Sequence, residues 1–125
     1  MNRRGEIMNK QQLEDRLINF AVQIITLSDD ISPTKAGNHL AGQLIRSGTS
    51  PALNYGESRS AESMKDFIHK LQVILKELRE SYISLKILSK ARLIRDVKVQ
   101  NQVIKECDEL IPIFVKSIQT SKGKL

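Results

Sequence analysis

Cysteine is almost missing from this sequence: Cys107 stands alone among 125 residues. A single thiol excludes an internal disulfide, and no Cys/His set has the spacing of metal ligands. Both facts suit a reducing compartment. Tryptophan is absent and aromatic residues amount to 4%. Tyr55 and Tyr82 are therefore isolated, and no aromatic platform exists for stacking single-stranded bases. Glycine and proline are sparse while Leu, Ile, Lys and Glu abound, which disfavours a sheet protein and favours a helical bundle. No apolar run approaches the ~18 residues of a membrane span. The opening MNRRGEIMNKQQLEDRL has arginines but not the apolar segment of a signal peptide. A soluble, cytoplasmic protein with no membrane role is the expectation.

What is present is enough for one domain, residues 1–125, with a real core: apolar residues make up 40%. The 20 basic against 14 acidic side chains leave +6, an excess that suits anionic partners or a solvated basic surface alike. Apolar spacing predicts four helices, at about 10–30, 34–57, 61–90 and 97–121. The first carries a heptad seam, Leu13, Leu17, Phe20, Ile24, Leu27 and Ile31, widened by Ile18, Val22 and Ile25. It should end at the Asp-Asp-Ile-Ser-Pro stretch, because the residue before Pro33 is pushed out of the helical region. The second aligns Leu40, Leu44, Ser47, Pro51 and Asn54 on one face, and the internal Pro51 predicts a kink. Gly56 to Ser60 reads as a turn, with Gly56 closing the second helix and Ser60 capping the third.

The third helix shows a main stripe of Phe67, Leu71, Ile74, Leu78, Leu85 and Leu88. Met64, Ile68, Leu75 and Tyr82 form a second line, with Val73, Ile83 and Ile87 off both. So much apolar girth predicts burial on more than one side, one of them against a second subunit. In the fourth helix Val97, Ile104, Ile111 and Ile118 recur every seven residues, Cys107 and Phe114 fall between them, and Pro112 predicts another kink. Short connections make neighbours antiparallel. The expected fold is all-α, an up-down-up-down four-helix bundle.

The stretch QLIRSGTSPALNYGE, residues 43–57, keeps helical spacing while crowding in poor helix formers. It should be held by its neighbours. Arg46, Ser47 and Asn54 need partners if they face inward, and KELRES on the third helix offers Glu77, Glu80 and Ser81. The expected polar core is an Arg46–Glu77 or Arg46–Glu80 pair, with Asn54 bonded to backbone beside Pro51. Its role is to specify helix register.

These residues also carry a resemblance. The block at 43–57, followed by SMKDFIHKL and LKELRES, resembles the four-helix-bundle family encoded in intervening sequences of bacterial 23S rRNA genes. Related small proteins accompany the reverse transcriptases of diversity-generating retroelements. The family pattern falls here on Gln43, Leu44, Arg46 to Ser50, Asn54 and Glu57, with Asp66 and Phe67, then Glu77 and Glu80. Pro51 and Ser84 depart from it, at points that bear on the regularity of the second helix and on interface packing. The resemblance covers roughly Leu13 to Ile118. It implies a homo-oligomeric, pentameric ring of basic bundles with a nucleic-acid role.

Chemistry is thinly provided. Nucleophilic catalysis needs a Ser or Cys beside a base and an orienting group, and the only histidines are His39 and His69. There is no HxxxH or ExxH pair, and neither GxxxxGK[ST] nor GxGxxG surrounds Gly48. The expectation is no enzyme, no cofactor and no metal. Antiparallel topology gathers Lys35, Lys86, Lys90, Arg92, Arg95 and Lys98 at one pole, diluted by Asp29, Asp30 and Asp96. The other pole collects Arg3, Arg4, Lys10, Arg59, Lys65, Lys116, Lys122 and Lys124. Basic poles suit phosphate backbones, bound through charge with little reading of sequence. Two functions follow: an oligomeric accessory protein binding RNA or DNA, with Lys35, Lys86, Lys90, Arg92, Arg95, Lys98, Arg3, Arg4, Lys122 and Lys124 as contacts, or a scaffold docking a protein partner such as a reverse transcriptase.

Overall fold

The computed structural model describes residues 8–125. Four helices follow one another: α1 (Lys10–Ser28), α2 (Lys35–Ser58), α3 (Met64–Lys90) and α4 (Val97–Lys122). Each packs against the next in the chain, and α1 meets α4 least extensively, closing a four-helix bundle. No helix among the described residues is long and apolar enough to cross a membrane.

Every helix starts on a side-chain cap that satisfies an otherwise orphaned amide. Asn9 and Gln12 cap reciprocally at α1: the Gln12 amide donates to Asn9 Oδ1 (2.8 Å) and the Asn9 amide to Gln12 Oε1 (3.0 Å). Thr34 Oγ1 accepts from the Gly37 amide at α2, Ser63 Oγ from Asp66 at α3, and Asp96 Oδ1 from Val99 at α4. The α2–α3 corner differs from the sequence expectation. Gly56 sits inside α2, Arg59 ends that helix in right-handed geometry, and Ser63 rather than Ser60 opens α3, so α3 begins at Met64 and not Ala61. Ser63 prevails because its hydroxyl reaches the Asp66 amide, while Asp66 Oδ2 accepts from the Glu62 amide (3.3 Å).

The core is built from Leu13, Leu17, Phe20, Ile24 and Leu27 of α1, Leu44 and Tyr55 of α2, Leu71, Ile74, Leu78, Leu85 and Leu88 of α3, and Val103, Cys107, Leu110, Phe114 and Ile118 of α4. The α1 seam is buried as its spacing predicts. In α4 the register is different: Val97 is exposed and Ile104 and Ile111 only half-buried. The buried face is the neighbouring line through Val103, Cys107, Leu110 and Phe114, which places the long Phe114 ring edge-on to Tyr55 at 6.0 Å. Phe67, expected at the head of the α3 stripe, is half-buried, and Ile68 takes the core position.

Pro51 and Pro112 both lie within continuous helices. The polar block of α2 is held partly by itself. Thr49 Oγ1 donates to the Ile45 carbonyl (2.7 Å), Ser58 Oγ to Tyr55 (2.6 Å), and Asn54 Nδ2 to the Ser50 carbonyl (3.0 Å) and hydroxyl (2.8 Å). Such back-bonding lets short polar residues sit in a helix without seeking distant partners. Small residues then admit the neighbouring helices. Gly48 faces Ile24 of α1, and on the α3 side Ser81 Oγ donates to Ser47 Oγ (2.8 Å) with both serines fully buried.

Arg46 clasps α3 from outside this contact. Its guanidinium bonds Glu77 Oε2 (2.9 Å) and also Glu80, yet its side chain is 50% exposed. The expected buried ion pair is therefore a surface clasp, and at such exposure it contributes at most about 1 kcal/mol. The buried polar contact that fixes α2 against α3 is the serine pair. A second clasp ties α1 to α4: Arg16 Nε and Nη2 grip the Glu106 carboxylate (both 2.8 Å), and Nη2 also reaches Glu109 (2.9 Å).

Candidate nucleic-acid interface

One end of the bundle is tied shut by backbone. The α1–α2 and α3–α4 connections meet there through a single antiparallel pairing of Ile31 with Ile94. The Ser32 amide donates to the Leu93 carbonyl (2.8 Å), and the Asp96 amide donates to Asp30 Oδ2 (2.7 Å). Within the α1–α2 connection, Gly37 lets the first turn of α2 fold tightly onto Ser32, because an added Cβ would lie 2.0 Å from the Ser32 carbonyl oxygen.

The α3 terminus at this end is a Schellman motif. The Arg92 amide donates to the Ser89 carbonyl (3.1 Å) and the Leu93 amide to the Leu88 carbonyl (3.0 Å). The motif needs a left-handed residue, usually glycine, and here it is Arg92 at φ 58°. A bulky side chain in this conformation costs on the order of 1 kcal/mol. The gain is an arginine held at the apex of the corner, flanked by Lys90 and Arg95.

Around this apex lie Lys35, Lys90, Arg92, Arg95 and Lys98, all exposed, and the half-buried Lys86. The Lys86 ammonium stands 5.9 Å from the centre of the Tyr82 ring, which orients it by cation–π attraction. Among the described residues, no ion pair includes any of these six cations. The carboxylates that dilute the pole are partly committed: Asp30 and Asp96 accept backbone amides. Six cations against Asp29, Asp30 and Asp96 leave a formal +3 at this end.

The remaining predicted contacts do not join this cluster. Lys122 and Lys124 lie at the opposite end with Lys10, Arg59, Lys65 and Lys116, and Arg3 and Arg4 fall outside the described residues. Of that second set, Arg59 is neutralised by Glu14. The sequence reading missed the cross-link between the two loops and the role of Gly37. A Thr-x-x-Gly stretch directly after Ser32-Pro33 was the available signal. Among the described residues, no group of three or more His, Cys, Asp or Glu is placed to hold a metal ion. His39 and His69 are exposed.

Comparison with known proteins agrees with this architecture. The chain matches the sequence model of the 23S rRNA-intervening sequence proteins over residues 9–116. It is similar to a crystal structure described as a protein of unknown function from the S23 ribosomal protein family of Bacteroides thetaiotaomicron VPI-5482. The TM-score is 0.79 at 28% identity, covering 90% of this chain and 99% of the other. No curated protein is significantly similar in sequence.

Proposed function

The chain belongs to the 23S rRNA-intervening sequence protein family, and on that premise we propose that it is a non-enzymatic, cytoplasmic accessory protein that binds the phosphate backbone of RNA or DNA as a homo-oligomer. The observation that carries this reading is the cross-linked pole, where six cations lack carboxylate partners among the described residues. Exposed lysines and arginines on a rigid corner replace condensed counterions on a phosphate backbone, and no base-reading element is needed. The reactive groups give catalysis no support. Both histidines are exposed, and burial pushes the Cys107 thiol up to about 12, with Asp108 and Glu106 adding to the shift.

Assembly is supported by two unlike apolar surfaces. Ile18, Val22 and Ile25 are exposed along α1, and Ile45 and Leu53 along α2, which packs against it. Ile83 and Ile87 are exposed on the outer face of α3. Non-identical patches on different sides of a subunit favour head-to-tail contacts, which close into a ring when the rotation permits. A pentamer is the closed form proposed, with the basic corners repeated around one rim.

Fluorescence anisotropy of labelled structured RNA and duplex DNA at 50 and 200 mM salt tests the binding. With about five phosphates neutralised, affinity for duplex should fall by roughly two to three orders of magnitude over that interval. The triple change Lys90→Glu, Arg92→Glu and Arg95→Glu should abolish it. A folded oligomer with no affinity at low salt would overturn the reading in favour of a scaffold that docks a protein partner.

A further inference from the structure

At the end of the bundle opposite the cross-linked corners, the helix ends stand apart around a cleft of about 940 Å3. Its floor is apolar, formed by Leu13, Tyr55, Met64, Phe67 and Ile113. Its walls carry Lys10, Arg16, Arg59, Lys116 and Lys124, and among the described residues no carboxylate lines it. Arg16 is engaged by Glu106 and Glu109, and Arg59 by Glu14. Lys116 and Lys124 have no ion-pair partner among the described residues.

Tyr55 supplies a third polar group. It is 4% exposed, its ring is fixed edge-on to Phe114, and it lines the cleft. Burial raises its phenol above the ordinary value, with Arg59 opposing, so at neutral pH the hydroxyl is a proton donor. A hydroxyl that lines a largely apolar cleft and can donate is a place for a ligand oxygen.

We propose that this cleft binds a single-chain amphiphilic anion, its tail on the apolar floor and its carboxylate among Lys116, Lys124 and the Tyr55 hydroxyl. The two halves of the lining decide the class together. A nucleic-acid backbone would use the lysines and leave the floor unpaired. An uncharged lipid would use the floor and leave the cations idle. Only a molecule with both characters satisfies the whole lining. The site is independent of the basic corner at the other end and of its nucleic-acid role.

Isothermal titration of the full chain with decanoate, decanol and decyltrimethylammonium tests this. Decanoate should bind saturably, and decanol and the ammonium at least tenfold more weakly. Lys116→Glu with Lys124→Glu should weaken decanoate at least tenfold without moving the unfolding midpoint. Tyr55→Phe should weaken it several-fold, whereas Lys90→Glu should leave it unchanged. Equal affinity for decanoate and decanol, indifference to the lysine changes, or no saturable binding would overturn the proposal.

Discussion

A Cβ built on Gly48 would lie 2.7 Å from Ile24 Cγ1 and 2.8 Å from Cγ2, whereas one built on Gly42 would meet nothing within 4 Å. The same substitution on the same helix should therefore have opposite signs. Gly48→Ala overpacks the α1–α2 contact and should destabilise by about 1–3 kcal/mol. Gly42→Ala removes backbone entropy from the unfolded chain and should stabilise by about 0.5–1 kcal/mol. Denaturant midpoints measure both, and the double change Gly48→Ala with Ile24→Ala should cost less than its two singles combined. Cys107 offers a second residue-scale test. Its Sγ donates to the Leu78 carbonyl (3.2 Å) in a fully buried site, and its thiol is pushed up to about 12. Because the folded pKa lies above the unfolded one, stability is fully present below about pH 9. It falls as pH rises towards 12, since only the unfolded chain then releases the proton. The loss from this group is about 1.4 kcal/mol per pH unit at most. Cys107→Ala should lower stability at pH 7 yet flatten its decline above pH 9, and the native thiol should resist a disulfide-exchange reagent until the chain unfolds.

At the scale of the element, the corner after α3 separates strain from charge. Arg92 occupies the left-handed position of the Schellman motif. Arg92→Ala and Arg92→Gly remove the same charge, so both should weaken nucleic-acid binding alike. Only glycine relieves the backbone, so Arg92→Gly should be more stable than Arg92→Ala by about 1 kcal/mol, read from thermal or denaturant unfolding. Helix positions were legible in the sequence because the α1 seam and the α3 stripe are long and periodic, and the caps bear them out to within three residues. Two details were not legible. In α4, Val97, Ile104 and Ile111 recur as regularly as the true core line, and the choice between adjacent lines is made by how Phe114 meets Tyr55, a tertiary fact. At the α2–α3 corner, Gly56 and Ser60 offered plausible stops. The helix instead ends where Ser63 and Asp66 find amides to cap. The interface cations were individually legible, but the loop pairing that draws them together depends on Ser32 and Asp30, whose partners Leu93 and Asp96 are 61 and 66 residues away in sequence.

At the scale of the whole molecule, the two unlike apolar faces make the geometry of assembly testable without knowing the subunit count. If the α1–α2 face of one copy meets the α3 face of the next, a charge on either face is enough to break the ring. Val22→Lys and Ile83→Lys, at positions 55% and 57% exposed, disturb no core contact. Each variant alone should be a folded monomer by light scattering. A mixture is more informative. The Val22→Lys copy keeps an intact α3 face and the Ile83→Lys copy an intact α1–α2 face, so one good contact survives between them and no second can form. The mixture should therefore give a one-to-one dimer and nothing larger. An interface in which each face meets its own copy predicts otherwise, because each variant would then retain one intact self-complementary face and stay dimeric alone. The nucleic-acid reading is linked to this outcome. Repeating a +3 corner around a rim multiplies the phosphates each complex can neutralise, so the monomeric variants should show a shallower salt slope than the ring as well as weaker binding. A monomer that matched the ring in both affinity and slope would show that a single corner is sufficient and that assembly serves something else.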